Sequence, residues 1–224
     1  MLFVEVMFWK NNGLSLVLVG LFVISMLGQA VTGWWDRNED ALEHQQAQIG
    51  FTEYLVSGHF WEATGENWES EFLQMAAFVL LTVFLRQKGS AESKRIDVVE
   101  AVDLDPRDHA NDPEAPGPVR RGGFMLKLYE NSLGLTFAML FILSVLIHAL
   151  GGHAQYREEQ QQHGQPSVTL AQYVASPRFW FESFQNWQSE FLSLAAMVIG
   201  TIYLRQRGSA ESKPVFAGHS ETGR

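Results

Sequence analysis

Four apolar stretches, separated by segments rich in Glu, Asp and Gln, organise this chain. Leu14 to Val31, prolonged by Gly33, Trp34 and Trp35, offers about twenty residues without a formal charge, enough to cross a hydrocarbon core of about 30 Å. Phe72 to Leu85 is shorter, and Trp68 and Gln87 on its flanks extend it to roughly the needed length. Leu133 to Leu150 repeats the first pattern and Phe191 to Leu204 the second. The pattern predicts an all-α membrane protein with four transmembrane helices.

The spans are paired by an internal repeat. With no gap and at an offset of 119, Asn12 to Lys94 aligns on Asn131 to Lys213, and identity at roughly four positions in ten reads as a duplication. The strongest block is NWESEFLQMAA from Asn67 and NWQSEFLSLAA from Asn186, each running on to LRQKGSAESK or LRQRGSAESK. Two spans per copy force both copies to insert the same way, a parallel tandem repeat about an axis along the membrane normal. Ala76, Ala77, Ala195, Ala196 and Gly200 are the small residues through which such helices would pack. The organisation read from this is a first two-span repeat over 1–94, a linker over 95–121, a second repeat over 122–213 and a disordered tail over 214–224.

Each loop between paired spans is about thirty residues long, more than a turn needs. Phe51, Tyr54, Leu55, Phe60 and Trp61 in the first loop match Leu170, Tyr173, Val174, Phe179 and Trp180 in the second. Spacings of three and four predict a short helix in each, lying in the membrane interface with its aromatic side in the headgroups. A re-entrant element folded back between the spans is the alternative. Gly58 and Pro177 interrupt both patterns at the same aligned place and predict a bend there.

Charge sets the orientation. Arg86, Lys88, Lys94 and Arg95 follow the second span, Arg120, Arg121 and Lys127 precede the third, and Arg205, Arg207 and Lys213 follow the fourth. The opposite loops hold Arg37, Arg157 and Arg178 alone. Basic flanks stay cytoplasmic, so both termini and the linker are expected inside. A cleaved leader is the competing reading of the first span, and a segment of the same pattern at mid-chain speaks against it. The linker carries seven acidic residues and four prolines between Ile96 and Val119, the composition of a flexible solvated tether. A net charge of -9 argues against nucleic acid as a partner, and without cysteine there is no thiol chemistry and no disulfide.

Candidate chemistry begins with Glu71 and Glu190, kept in both copies and placed by the pattern in the opening turn of a span. A carboxylate at membrane depth marks a proton or cation site. The plainer reading makes Asn67 and Asn186 the N-caps of those helices, with the carboxylates on the helix dipole, Trp68 and Trp187 as headgroup anchors, and Ser70 and Ser189 as repeat-paired neighbours. Gln29 and His148 align a turn or so from the external ends of their spans, where hydrogen bonding between helices is the ordinary role. Glu39 with His44 and Glu158 with His163 give two ligands per loop, short of a zinc set, so no metal is expected there. No paired axial ligand for haem is visible, and no cofactor is expected.

FWKNNGLSLVLVGLF, NWESEFLQMAAFVLLTVFLRQKGSAESK and its second copy together resemble an uncharacterised family of bacterial integral membrane proteins, catalogued as a domain of unknown function. The resemblance covers nearly the whole chain apart from the linker. It implies a bacterial inner-membrane location and brings no activity or catalytic residues. With no nucleophile elbow, phosphate loop or HExxH, the expectation is a non-enzymatic structural, accessory or stress-related protein. Its partners would be the lipid bilayer and further copies of itself as a homo-oligomer, with any small-molecule or ion substrate unspecified. The alternative is a small channel or transporter moving protons or cations past Glu71 and Glu190.

Overall fold

The computed structural model describes residues 2–223, with side chains from residue 8 onward; the two chain ends, Met1 and Arg224, lie outside the described residues. Helices α1 (Leu2–Glu43), α2 (Phe51–Tyr54), α3 (Gly58–Phe84), α4 (Gly117–Arg121), α5 (Gly123–Glu130), α6 (Ser132–Gln162), α7 (Leu170–Val174) and α8 (Pro177–Tyr203) follow in order, and there is no strand among the described residues. Two helices are long and apolar enough to cross a membrane, Phe8–Glu43 and Ser132–Gln162, each with a mean hydropathy of 2.3 over its most apolar window. Most of those apolar side chains are exposed. Helices α3 and α8 differ, with a polar first half and an apolar second half.

The elements recur at the spacing read from the sequence, α2 with α7 and α3 with α8, and α1 and α6 end at aligned residues. Local chemistry explains the shared boundaries. The Ser57 and Ser176 hydroxyls accept the N–H groups of Phe60 and Phe179 at 3.3 and 3.4 Å, and Pro177 occupies the first turn of α8, a position that lacks an N–H partner in any helix. At the other end, Gln87 and Gln206 donate their N–H groups to Ser93 and Ser212, each at 2.9 Å. Gly89 and Gly208 supply the positive φ, 87° and 83°, that this turn requires. The repeated LRQxGSAESK block is thus a helix stop.

Three expectations change. Helices α1 and α6 run through their polar ends to residues 43 and 162, so the connection from α1 to α3 is only residues 44–57. Asn67 and Asn186 lie inside α3 and α8 and are not N-caps, because the Ser57 and Ser176 caps start those helices more than two turns earlier. The short loop helices exist, yet their aromatic sides face protein: Tyr54 and Tyr173 are buried, and each packs edge-on against Phe60 or Phe179. A tyrosine whose hydroxyl has a partner gains more from that packing than from a headgroup.

The chain divides into two compact units. In the first, residues up to Ala63 with Leu150–Ser167, a core of Ala30, Tyr54 and Phe60 is closed by Trp34, Ile49 and Phe51. Asn38 accepts the Ile49 N–H at 2.8 Å and donates to the Ile49 carbonyl at 3.1 Å, while the Trp34 indole donates to that carbonyl at 2.8 Å. Arg37 is ion-paired with Glu158. His59, bonded to Tyr54 at 3.2 Å, is held below the usual imidazole range by burial, with the Arg37 charge adding to it.

In the second unit, Thr64–Ala149 with residues from Val168 onward, three helices pack together. The pairs Glu66 with Asn186 and Gln74 with Ser193 advance in step, so α3 and α8 run parallel. Gly65 against His148 and Leu80 against Gly134 advance in opposite senses, so α6 is antiparallel to α3. The segment between Ile96 and Val119 carries 3-10 turns over Ala101–Asp103 and Pro106–His109, and Ala115 and Val119 are buried with Leu126. Residues after Pro214 fold back, where the Lys213 ammonium donates to the carbonyls of Gly218, His219 and Glu221.

Asn38→Ala removes two of the three bonds that tie Ile49 to α1, leaving the Trp34 indole. A loss of about 1–3 kcal/mol is expected to accelerate exchange of the Ile49 amide roughly 10- to 100-fold in a hydrogen-exchange measurement. Unchanged exchange would show that Trp34 alone holds the loop.

Candidate functional site

The second unit contains a polar cluster centred on His148, whose side chain is fully buried in apolar α6. Its position follows from backbone contact. A Cβ on Gly65 would stand 2.4 Å from the His148 nitrogen, so only glycine lets α3 approach α6 this closely. The next turn of α3 then presents Glu66 and Glu69, and α8 contributes Glu182.

The imidazole is held on each edge and on a face. Its Nδ1 lies 2.8 Å from Glu69 Oε2, its Nε2 lies 3.4 Å from Glu182 Oε2, and the Phe179 ring stacks on it at 4.6 Å with a 22° tilt. Glu69, at 1% side-chain exposure, accepts the Trp187 indole N–H on Oε1 at 3.0 Å. Glu182 accepts the Tyr173 hydroxyl at 3.0 Å and the Arg178 Nε at 2.8 Å. Glu66 accepts Asn186 Nδ2 at 3.2 Å. Beside Glu69 an apolar groove of about 220 Å³, lined by Phe141, Leu146, Trp180 and Trp187 among others, excludes polar partners from that side.

Three carboxylates therefore surround one imidazole, and Arg178 is the cation that meets Glu182. Glu69 is buried and Glu66 and Glu182 are half-buried, and carboxylates drawn together out of water favour a positive charge among them. The arrangement can hold a cation.

The residues singled out by the sequence fall in different places. His148 is at the centre. Trp187 and Asn186 belong to the cluster through Glu69 and Glu66, so Trp187 bonds to a carboxylate where a headgroup anchor was expected. Ser70 is buried and donates to the Asn67 carbonyl at 2.9 Å, and Ser189 does the same to Asn186 at 2.8 Å. Both are ordinary helix-interior bonds. Trp68 and Gln29 are half-buried, with Gln29 in the first unit. Glu71 is exposed and Glu190 half-buried, with the Glu71 charge acting on Glu190, while the Glu190 carbonyl accepts Gln74 at 2.8 Å. The loop histidines bond within their helix ends, His44 to the Asp40 carbonyl and His163 to the Glu159 carbonyl. Neither is drawn to Glu39 or Glu158 as a ligand pair.

Glu66, Glu69 and Glu182 were not among the sequence candidates. The signal that could have found them is the spacing of three between Glu66 and Glu69, which puts both on one helix face, together with a histidine in an apolar helix that needs a partner.

Fold and site define an all-helical protein with two membrane-length apolar helices and a buried carboxylate–imidazole cluster. By sequence the chain belongs to the family described as Domain of unknown function (DUF6766), which it matches over residues 5–224. No curated protein and no solved structure matches it.

Gly65→Ala drives a methyl group into the α6 backbone and is expected to cost about 1–3 kcal/mol, read as a lowered Tm by circular dichroism in detergent. Gly20→Ala, where a Cβ would meet nothing within 4 Å, should instead gain about 0.5–1 kcal/mol from helix propensity. Equal responses of the two variants would refute the close helix crossing.

Proposed function

We propose that the protein is a non-enzymatic, multi-pass protein of the bacterial inner membrane whose working part is a cation-holding centre at Glu66, Glu69, His148 and Glu182. The observation that carries this reading is one buried imidazole, in the apolar helix α6, faced by three carboxylates, of which Glu69 is buried and Glu66 and Glu182 are half-buried. Four spans, with both termini and residues 95–121 cytoplasmic, fit the basic flanks of α3 and α8 and the matching apolar halves of those helices. That orientation puts His148 near the external ends of the spans. The exposed apolar faces of α1 and α6 then meet lipid, or further copies of the chain in a homo-oligomer.

The chain has no cysteine, so single introduced cysteines report topology without background. A membrane-impermeant maleimide is expected to label Gln165→Cys in intact cells and Lys88→Cys only after the membrane is opened. Labelling of both in intact cells, or the reverse pattern, would refute this orientation.

A second reading, conduction of protons or cations past Glu71 and Glu190, draws on the mutual charge of those two carboxylates on parallel helices. Purified protein in liposomes would then pass the ion, and Glu71→Gln combined with Glu190→Gln would abolish the flux. Flux that survives the double variant removes this reading.

A further inference from the structure

We propose that Glu66, His148 and Glu182 bind one divalent transition-metal ion, with Glu69 as the positioning residue that orients the imidazole. The inference rests on the cation-holding reading above and names the class of cation.

Geometry is the first support. One ligand atom from each of the three residues lies within 4.8 Å of the other two, a span that rotation of a carboxylate can close. The 3.4 Å between His148 Nε2 and Glu182 Oε2 exceeds the roughly 2.7–2.9 Å of a charge-assisted hydrogen bond. It matches the gap of about 3.4 Å between two ligands that each sit about 2.0–2.1 Å from a tetrahedral ion.

The surroundings of the imidazole are the second support. With Nδ1–H donating to Glu69, the Nε2 lone pair is left to face Glu182, the outer-shell arrangement by which a carboxylate orients a metal-bound histidine. Glu69 is itself fixed by the Trp187 indole, Glu182 by Tyr173 and Arg178, and Glu66 by Asn186. Ligands held in this way lose little further freedom when an ion arrives.

Charge identifies the ion. Glu66, Glu69 and Glu182 favour positive charge beside the ring, and a divalent ion bound at Nε2 takes the place of a proton there. One nitrogen with two carboxylates suits first-row transition ions, whereas Ca²⁺ takes six to eight oxygen ligands and Mg²⁺ keeps much of its water. Three protein ligands leave a coordination position for water or a small anion.

The test uses the full-length protein in detergent, with any affinity tag removed, stripped by chelator and dialysed against micromolar Zn²⁺ or Co²⁺. About one Zn²⁺ per chain is expected, and Co²⁺ should give the intense visible bands of a tetrahedral site. Glu66→Gln and Glu182→Gln should each weaken Zn²⁺ binding at least about 100-fold, and Glu69→Gln roughly 10- to 100-fold with the Co²⁺ bands kept. Because Glu182→Gln also breaks the 2.8 Å ion pair with Arg178, Glu66→Gln, checked for helicity and monodisperse elution, decides the matter. Wild-type protein that retains no Zn²⁺ would make the cluster an ion-pair network only, and a folded Glu66→Gln variant with unchanged binding would place the ion elsewhere. Correct maleimide labelling with no Zn²⁺ bound overturns the metal alone. Zn²⁺ bound with the wrong labelling pattern overturns the membrane orientation alone.

Discussion

The contact of α3 with α6 at Gly65 determines what the second unit can do. Two helix backbones that approach to the point where a methyl group would overlap leave no room for side chains between them. Polar groups on either side of the crossing are therefore forced to find one another and not water. His148 sits at that crossing, bonded to Glu69 one turn along α3 at 2.8 Å, with Glu66 close by. Phe179 then covers the ring, and α8, running parallel to α3, brings Glu182 to the remaining nitrogen. An interaction between charged groups in a medium of low polarity is strong and costly to leave incomplete. Backbone packing and electrostatics consequently specify the same arrangement.

The apolar exteriors of α1 and α6 put a complementary demand on the surroundings. Leu14, Val17, Leu18, Leu21, Ile24 and Leu27 are all exposed along α1, which in water would be a surface prone to association. Such a surface suits lipid, where helices pack through small residues and polar contacts. Buried Ser90, just past the end of α3, meets Thr201 of α8 hydroxyl to hydroxyl at 3.0 Å, and the Gln74 amide donates to Ser193 between α3 and α8 at 3.1 Å.

Much of the architecture was legible in the residues. Apolar length identified α1 and α6, and Gly58 and Pro177 marked the boundaries where α3 and α8 begin. The helix starts were misread because Asn67 and Asn186 look like caps next to an apolar run, while the actual signals, Ser57 and Ser-Pro at 176–177, stand ahead of amphipathic turns that hydropathy scores as loop. The expected lipid-facing aromatics were misread for a related reason. Periodicity reports that Phe51, Tyr54 and Leu55 share a face, but not what that face meets, and Gly33 accepts the Tyr54 ring only because it lacks a side chain. Contacts between residues far apart in the chain carry no local signal.

The site was hidden by the same repeat that exposed the fold. A search for residues kept in both copies selects what each two-helix unit needs in order to fold, and the helix stops at Ser93 and Ser212 are of this kind. The charged cluster lies where the copies differ: His148 aligns with Gln29, Glu66 with Gln185, Glu69 with Gln188 and Glu182 with Ala63. Glutamine and glutamate have nearly the same shape, so the exchange alters charge while the helix scaffold stays the same, and Gln185 and Gln188 lie exposed on α8. A scaffold built twice can carry a demanding cluster of carboxylates once, with neutral amides at two of the aligned positions. Chemistry in such a protein is to be sought where its halves disagree.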